Sequence, residues 1–573
     1  MFISDVDLAK LAQLTQQFGW TKGLENFMSA LSARQLGFIR SELSKRYMGW
    51  VCSLDGKHKT TALVLESGLG SCSLALSERF HEVVVVCIDE SVANIVRERA
   101  VHLEKKNIKI LCGIDGLSEL EQGSIEVIVC IDDGEKNVID QNLLQLFSRI
   151  LSSRGQFALV TACDSQVSRW KRSTYRKTYQ DTLHLLDLFF PRKDIYRCIG
   201  QYCRHVFRIK KIHNEQERSV RFSLRGYVAV IRDYFFGGKF LIVGGRELPE
   251  ASFFDYLLQE ISTRYCAGQS LCIESVVMSK PRGALLLVEA PDSRHKYVVR
   301  LAYDVLTRGR YETNSRMLES ISRLELESTL CVPEYIGKGI YEGLHYTVES
   351  RLPGANISPA QMRKRHRLDS IVQQSIDGIT TLNLASSELR LVDKGQYSSL
   401  IEEPLSRGEN LFGISRKNTF EIIRGYLRRS LYGVRLPLVI YHGDCSLDNI
   451  LISQKTDQVQ GLFDWDYSKR HGLPLIDIIF LIASYIAKTK KISLSGSVSY
   501  ILAEMDNELQ TKRFIHEYCK TMNLKEELAK PLIVVFVVNL IAYRMEMDEE
   551  YAQPAYYESM FGQLLNDLEG DLI

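Results

Sequence analysis

Apolar residues recur at spacings of three and four at the start of the chain: Leu8, Leu11, Leu14 and Phe18, then Leu24, Phe27 and Leu31. That is near the helical period, so residues 1–55 are expected to be helical. From Thr61 the pattern changes to short apolar runs: Ala62–Leu65, Val83–Ile88, Ile108–Leu111, Ile125–Ile131 and Phe157–Val160. Helical spacing fills Ser73–Arg79, Val92–Leu103 and Asn142–Leu151 between them. Strands alternating with helices predict an α/β fold with a parallel, doubly wound sheet.

Residues 165–270 are less regular. They carry aromatic and basic clusters, Trp170-Lys171-Arg172 and Arg192-Lys193, and two strand candidates, Tyr227–Arg232 and Phe240–Val243. A strand-rich region begins near Leu271, with runs at Leu271–Met278, Ala284–Glu289 and Tyr297–Leu301. Helical patterns dominate from Thr313, apart from short runs near 345–349 and 438–464. The expected organisation is a helical segment at 1–60, an α/β domain at 61–215, a connector or the end of that domain at 216–270, a strand-rich lobe at 271–354 and a helical lobe at 355–573.

Composition narrows the function classes. At about 150 residues per domain, 573 residues suggest three or four units. Lys plus Arg is 72 and Asp plus Glu is 70, a net charge of +2 that excludes a globally basic nucleic-acid binder. Twelve prolines argue against long proline-rich linkers. The 13 cysteines form no CxxC pair, so neither a zinc ribbon nor a redox dithiol is visible. Cys52, Cys72, Cys87, Cys112 and Cys130 lie among apolar residues and read as core hydrophobes, which places the chain in a reducing cytoplasm. Met1–Leu14 carries Asp5 and Asp7 and no basic start, unlike a secretory leader. The longest apolar stretch, Pro531–Tyr543, is shorter than the roughly 20 residues a bilayer requires and is expected to be a buried helix. Peripheral membrane contact and oligomeric state are left open.

The first constellation is a glycine loop after a strand, Val64-Leu65-Glu66-Ser67-Gly68-Leu69-Gly70-Ser71-Cys72. Glycines let the backbone turn tightly at a strand end and approach a ligand closely. Asp89 ends the next apolar run 19 positions after Gly70, a spacing suited to ribose hydroxyls. These residues resemble the class I S-adenosylmethionine-dependent methyltransferases, closely over residues 60–165 and weakly to 245. The resemblance implies that Glu66, Gly68 and Gly70 form the first cofactor motif, that Asp89 holds ribose, and that Asp115 contacts adenine. Val127–Asp133 is similar to the family's fourth strand, and Leu151–Phe157 to its "LxPGG" turn. Cys72 replaces the third glycine, and only Gly155 of the turn remains. No Pro-Pro-Tyr type motif follows the fourth strand, so methylation of a base or amide nitrogen is not supported. A methyltransferase fold without cofactor, or a plain nicotinamide-type dinucleotide fold, is the competing reading. Glu66 disfavours the latter, since a negative charge is unwelcome beside pyrophosphate.

The second constellation is His442-Gly443-Asp444, with Asn449 five positions after Asp444 and Asp464 15 positions after Asn449. Phosphoryl transfer needs a carboxylate near the acceptor hydroxyl and oxygen ligands for magnesium. Asp444 can supply the first, Asn449 and Asp464 the second. Two short strands between Asn449 and Asp464 would form a hairpin holding both over one cleft. The pattern, with Phe463-Asp464-Trp465-Asp466, resembles the aminoglycoside and choline phosphotransferase family over residues 270–573. That implies a bilobal protein-kinase-like (α+β) fold with ATP between the lobes. Gly472, Pro474 and Asp477 are similar to the family's later motif, whose Asp supports the catalytic loop. In the strand Lys296–Leu301, Arg300 takes the place of the phosphate-contacting cation. Lys296 would lie on the same face, roughly 13 Å back along the strand. Glu312, opening a helix Glu312–Ile321, suits the ion-pair partner. Ser279–Gly283 would suit the phosphate-covering turn the resemblance implies, although weakly glycine-rich, and Val348–Gly354 resembles the hinge. His442 is expected to be structural, and Asp448 and Asp466 structural or solvated.

Together the motifs imply a bifunctional transferase using S-adenosylmethionine, ATP and Mg2+ on a small-molecule or saccharide hydroxyl, with surface polysaccharide biosynthesis as the leading context. A natural-product or antibiotic-modifying enzyme is the alternative, and a ligand-binding scaffold with one or both folds non-catalytic is the rival. A protein kinase is disfavoured because no Asp-Phe-Gly segment is present. Arg363, Lys364, Arg365 and Arg367 could meet an anionic acceptor but read first as a solvated helix face.

Overall fold

The computed structural model describes the chain from Asp5 to Leu572, except residues 33–34, 37–38, 40–42, 44–47, 55–59, 67, 88, 133–140, 164–191, 202–205, 213–237, 246–252, 278–282, 292–294, 325–329, 505–509 and 548–553. It divides into two compact units, residues 1–308 with 336–348, and residues 309–335 with 349–573.

The first unit opens with helices α1 (Asp5–Phe18) and α2 (Trp20–Ser29). Of the periodic positions, Leu8, Leu11, Leu24 and Phe27 are buried, Leu14 and Leu31 are half-buried, and Phe18 is exposed. Then come β1 (Thr61–Glu66), α3 (Ser71–Ser77), β2 (Glu82–Cys87), α4 (Glu90–His102), β3 (Ile108–Cys112), β4 (Ile125–Asp132), α5 (Gln141–Ile150) and β5 (Leu151–Cys163). The strands lie in the order β3-β2-β1-β4-β5, each parallel to its neighbour. This is the doubly wound sheet the alternating pattern predicts. Strands covered on both faces read as unbroken apolar runs, and Leu63, Leu65, Val84, Val86, Ile128 and Cys130 are all buried in one core with Phe147 and Ile150 of α5. The strand order reverses between β1 and β4, which opens a crevice at the carboxyl ends of the strands.

Gly155 has a local reason. Ile125 lies opposite Leu151 but Val127 lies opposite Gln156, so residues 152–155 bulge from β5. A Cβ on Gly155 would stand 2.7 Å from Leu151 Cδ1 and 2.9 Å from the Glu126 carbonyl.

Beyond β5 the sheet becomes antiparallel. Strand β8 (Gly238–Gly245) lies between β5 and β6 (Arg192–Gln201) and opposes both, and β7 (Val206–Ile212) pairs with β6. The strand expected at Phe240–Val243 is therefore β8, an interior strand of this sheet. Trp170–Arg172 and Tyr227–Arg232 fall outside the described residues. A two-residue pairing, Arg208 with Val277 and Ile209 with Val276, leads on to β9 (Cys272–Val277), followed by β10 (Gly283–Glu289) and β11 (Lys296–Ala302) in an antiparallel meander. Next to β11 lie β13 (Leu344–Ser350) and β12 (Tyr335–Tyr341).

Helix α6 (Phe253–Tyr265) lies in the stretch expected to be a connector or the end of the α/β domain. Its buried Phe254, Leu257, Leu258 and Ile261 recur at helical spacing, a signal the sequence carried. Glu260 accepts from the Tyr346 hydroxyl at 3.0 Å, and Phe253 meets Tyr341 with ring centroids 5.4 Å apart.

Helix α7 (Val305–Ile321) crosses the division between the units and starts seven residues before the expected Glu312. Asp304 sets the earlier start by accepting from the amides of Leu306 (3.0 Å) and Thr307 (3.1 Å). In the second unit, β14 (Ala355–Asn356), β17 (Ile450–Ile452) and β18 (Val459–Leu462) form one small sheet. Strands β15 (Glu388–Leu391), β16 (Arg435–Tyr441) and β19 (Lys469–Gly472) form another. Helices α8 (Arg365–Ser386), α9 (Ile476–Lys490), α10 (Gln510–Thr521) and α11 (Ala529–Met547) share one core through Leu368, Ile479, Tyr518 and Val534. The apolar run 531–543 is the interior of α11, buried as expected, and among the described residues no helix is long and apolar enough to cross a membrane.

Candidate functional site

The glycine loop lies at the carboxyl end of β1. Glu66 is buried, and its two oxygens are both engaged: Oε1 accepts from the Gly68 amide at 3.3 Å, and Oε2 from the Ser73 amide at 3.2 Å and hydroxyl at 2.7 Å. The carboxylate thus ties the loop and the first turn of α3 to the strand end. Gly70 caps α3 in the left-handed region, at φ 81°, where a side chain is strained. A Cβ there would lie 3.1 Å from Val96 Cγ2 of α4. Cys72, standing where the third glycine would be, is inside α3 and fully buried, so it needs no unusual backbone.

Asp89 follows β2 and caps α4, Oδ1 accepting from the Val92 amide at 2.9 Å. Glu66 pairs in register with Cys87, and Cys87 with Cys112, so three adjacent strand ends are level. Glu66, Gly68, Gly70 and Asp89 share this edge. Asp115 is exposed on the turn after β3.

Sequence reasoning missed Arg99. It lies on α4, is fully buried, and donates to the Leu69 carbonyl (2.6 Å), the Ser71 hydroxyl (2.9 Å) and the Leu43 carbonyl (3.2 Å). Its guanidinium stands 5.8 Å from the centre of the Trp20 ring. A buried charge persists only when hydrogen-bonded, and here the acceptors are the glycine loop and the N-terminal segment.

The second unit holds the His-Gly-Asp loop, between β16 and β17. Asn449 Nδ2 donates to the Asp444 carbonyl at 2.8 Å and to Asp444 Oδ2 at 3.2 Å. With Nδ2 committed, Oδ1 is the Asn449 atom able to ligate a cation. Strands β17 and β18 pair as the expected hairpin, and the Phe463 amide donates to the Asn449 carbonyl at 3.1 Å. Asp464 follows at φ 74°, a sparsely populated conformation of the kind held at functional sites.

His442 is fully buried and joins the two halves of this loop. Its Nδ1 accepts from the Asp444 amide at 3.2 Å, and its Nε2 lies 2.9 Å from the Phe463 carbonyl. An amide only donates and a carbonyl only accepts, so the network assigns the neutral tautomer with the proton on Nε2. Both nitrogens are occupied, which makes His442 structural, as expected. Trp465 is fully buried, and its amide donates to Asn314 Oδ1 at 3.0 Å; Asn314 Nδ2 donates to Glu349 Oε2 at 2.7 Å. Asn314, two positions past Glu312 on α7, carried no sequence signal.

Asp477, the second residue of α9, underlies the loop. Oδ2 accepts from the His442 amide at 2.6 Å and Oδ1 from the Gly443 amide at 3.0 Å. Burial raises its carboxyl to about 6, and the two amides oppose that rise. The folded state therefore holds this proton more tightly than the unfolded chain. Its stabilising share is complete below about pH 4 and is lost as pH rises to about 6, on the order of 3 kcal/mol. Unfolding titrations from pH 4 to 7 should show this decline, and Asp477→Asn should flatten it.

Other expected residues are placed as follows. Arg300 is buried on β11 in the first unit; Glu312 is on α7 in the second. Lys296 is exposed, with Glu274 at 3.7 Å and Glu289 at 3.6 Å. Of the expected turn Ser279–Gly283, residues 279–282 lie outside the described residues and Gly283 opens β10. Asp448 pairs with Lys488 at 2.7 Å, Asp466 is buried, and Arg367 pairs with Asp457 at 2.8 Å.

Residues 286–494 match the model of the "phosphotransferase enzyme family". Among solved structures, a thermostable mutant of aminoglycoside phosphotransferase APH(4)-Ia is 11% identical, covering 54% of this chain and 98% of its own, with a TM-score of 0.36. A SAM-dependent methyltransferase from Aquifex aeolicus is 13% identical over 36% of this chain and 91% of its own, TM-score 0.24. The geranyl diphosphate C-methyltransferase of Streptomyces coelicolor A3(2), solved with geranyl diphosphate and S-adenosyl-L-homocysteine, is 14% identical over 39% and 85%, TM-score 0.23. No curated protein matches the chain.

Proposed function

We propose, starting from a C-terminal domain of the phosphotransferase enzyme family behind a methyltransferase-like sheet, that this chain is a bifunctional transferase. Its second domain would move the γ-phosphoryl of ATP to a hydroxyl of a small molecule or saccharide. The observation that carries this reading is the Asp444–Asn449 contact on a loop whose backbone is fixed from below by Asp477. In the proposed step the acceptor oxygen forms a bond to the γ-phosphorus while the β–γ bridging bond breaks, ADP leaves, and the hydroxyl proton passes to Asp444. Asn449 and Asp464 would hold Mg2+, which when bound neutralises charge developing on the phosphates. Arg300 would contact the α/β-phosphates and Glu312 would orient it.

The first domain would bind S-adenosylmethionine, with Gly68 and Gly70 against the cofactor, Asp89 on ribose and Asp115 near adenine. Glu66 would act one step back, shaping the loop. Both activities would serve one substrate or consecutive intermediates, in a cytoplasmic setting. Surface polysaccharide tailoring is the favoured context, and natural-product modification the second. Titration calorimetry with Mg–ATP and with S-adenosylmethionine tests both sites. Gly68→Arg should lower S-adenosylmethionine affinity about tenfold or more and leave Mg–ATP binding unchanged. Intact cofactor affinity in that variant would overturn the glycine-loop assignment.

A further inference from the structure

A buried polar circuit runs behind the His-Gly-Asp loop, made of residues that carried no motif. The Tyr518 hydroxyl of α10 donates to Asn383 Oδ1 of α8 at 2.7 Å and accepts from the Leu475 amide at 3.1 Å. Asn383 Nδ2 donates to the Ile440 carbonyl at 2.8 Å, and the Ile440 amide donates to the Ser386 hydroxyl at 3.1 Å. Tyr518, Asn383, Leu475 and Ile440 are all buried.

Both ends of the circuit bear on the loop. Ile440 is two residues before His442, on the strand that delivers it. Leu475 caps α9 two residues before Asp477, which holds the amides of His442 and Gly443. Leu475 is in the left-handed region at φ 71°, a strained state for a γ-branched side chain that the surroundings must enforce. The hydrogen bond its backbone N–H donates to the Tyr518 hydroxyl is such a restraint. One phenolic oxygen thus fixes the entry to the loop through Asn383 and its support through Leu475.

We propose that Tyr518 and Asn383 are positioning residues for phosphoryl transfer, setting the placement of Asp444 through the backbone at Ile440 and Leu475; this rests on the phosphotransferase reading above. Tyr518 touches no reacting group, so its role must show as lost alignment. Tyr518→Phe keeps the ring and removes one oxygen, leaving the Leu475 amide and Asn383 Oδ1 without that partner.

The test joins two measurements on the full chain. Peptide-resolved hydrogen exchange should rise in Tyr518→Phe within 438–446 and 472–479, segments distant from position 518 in sequence, and not in α11. Acceptor-independent hydrolysis of Mg–ATP, with water as acceptor, should lose about tenfold in kcat with KM nearly unchanged, the pattern of misplaced chemistry rather than lost binding. Ser386→Ala removes the hydroxyl that accepts from the Ile440 amide and that itself donates to the Leu382 and Asn383 carbonyls within α8; it should raise exchange in 438–446 and not in 472–479, and it serves as the second variant if Tyr518→Phe is poorly folded. Unchanged exchange in both segments, or unchanged kcat beside raised exchange, overturns the proposal. Failure of the underlying reading has a different signature: a wild-type chain that binds no Mg–ATP while the exchange pattern still decides whether the circuit holds the loop.

Discussion

Asp444→Asn is expected to lower phosphoryl transfer by a factor of about 10²–10⁴, the usual contribution of a positioned proton acceptor, while Mg–ATP affinity stays close to that of the wild type. Asn has the same size, and its carbonyl oxygen can still accept from Asn449 Nδ2, so the loop should keep its shape. What is lost is a base for the hydroxyl proton, so the effect should fall on kcat. Single-turnover hydrolysis of labelled ATP, alongside calorimetry, separates these quantities. A variant that binds Mg–ATP and turns over at the wild-type rate would remove Asp444 from the chemistry.

Gly443→Ala should act on the same loop through sterics. Gly443 sits at φ 82°, where an L side chain is strained by about 1–2 kcal/mol. Its Cβ would lie 2.3 Å from the Tyr467 carbonyl, which is backbone and cannot swing aside. Overpacking adds typically about 1–3 kcal/mol, so a loss of about 2–5 kcal/mol is expected for the second unit. Relief of the clash would have to move Tyr467, in the segment that carries Asp464, or Asp444 next door. Activity should therefore fall further than stability requires at temperatures well below the transition. Chemical denaturation and turnover on the same sample measure both, and a variant with wild-type midpoint and rate would contradict the geometry.

Local features were the legible ones. Alternating apolar runs revealed the parallel sheet because β1, β2 and β4 are covered on both faces, and helix periods between them were unbroken. The His-Gly-Asp loop, Asn449 and Asp464 could be read because their chemistry lies within 23 positions of chain, bridged by one hairpin. The start of α7 lies seven residues ahead of Glu312 because Asp304 is a capping carboxylate, and the helical spacing of α6 borders less regular sequence. The supports were invisible for another reason. Tyr518 and Asn383 are 135 positions apart, as Trp465 and Asn314 are 151 apart, and no spacing rule reaches that far. Only packing of the helices brings such pairs together, and a single Asn or Tyr in a helix has many bland uses.

The Arg99 bridge bears on how far the chain can be cut. A border near residue 60, which the change of pattern invites, would remove the Leu43 carbonyl and the Trp20 ring from a guanidinium that has no access to water. The charge would then be stranded beneath the very loop it braces. The N-terminal helices are thus not a detachable appendage, and shortened forms meant to isolate cofactor binding should retain them. The same logic limits modular exchange: a related sheet grafted ahead of this kinase-like part would need its own N-terminal segment, because the partners that hold the brace lie on both sides of that apparent border, Leu43 and Trp20 before it and Leu69 and Ser71 after it.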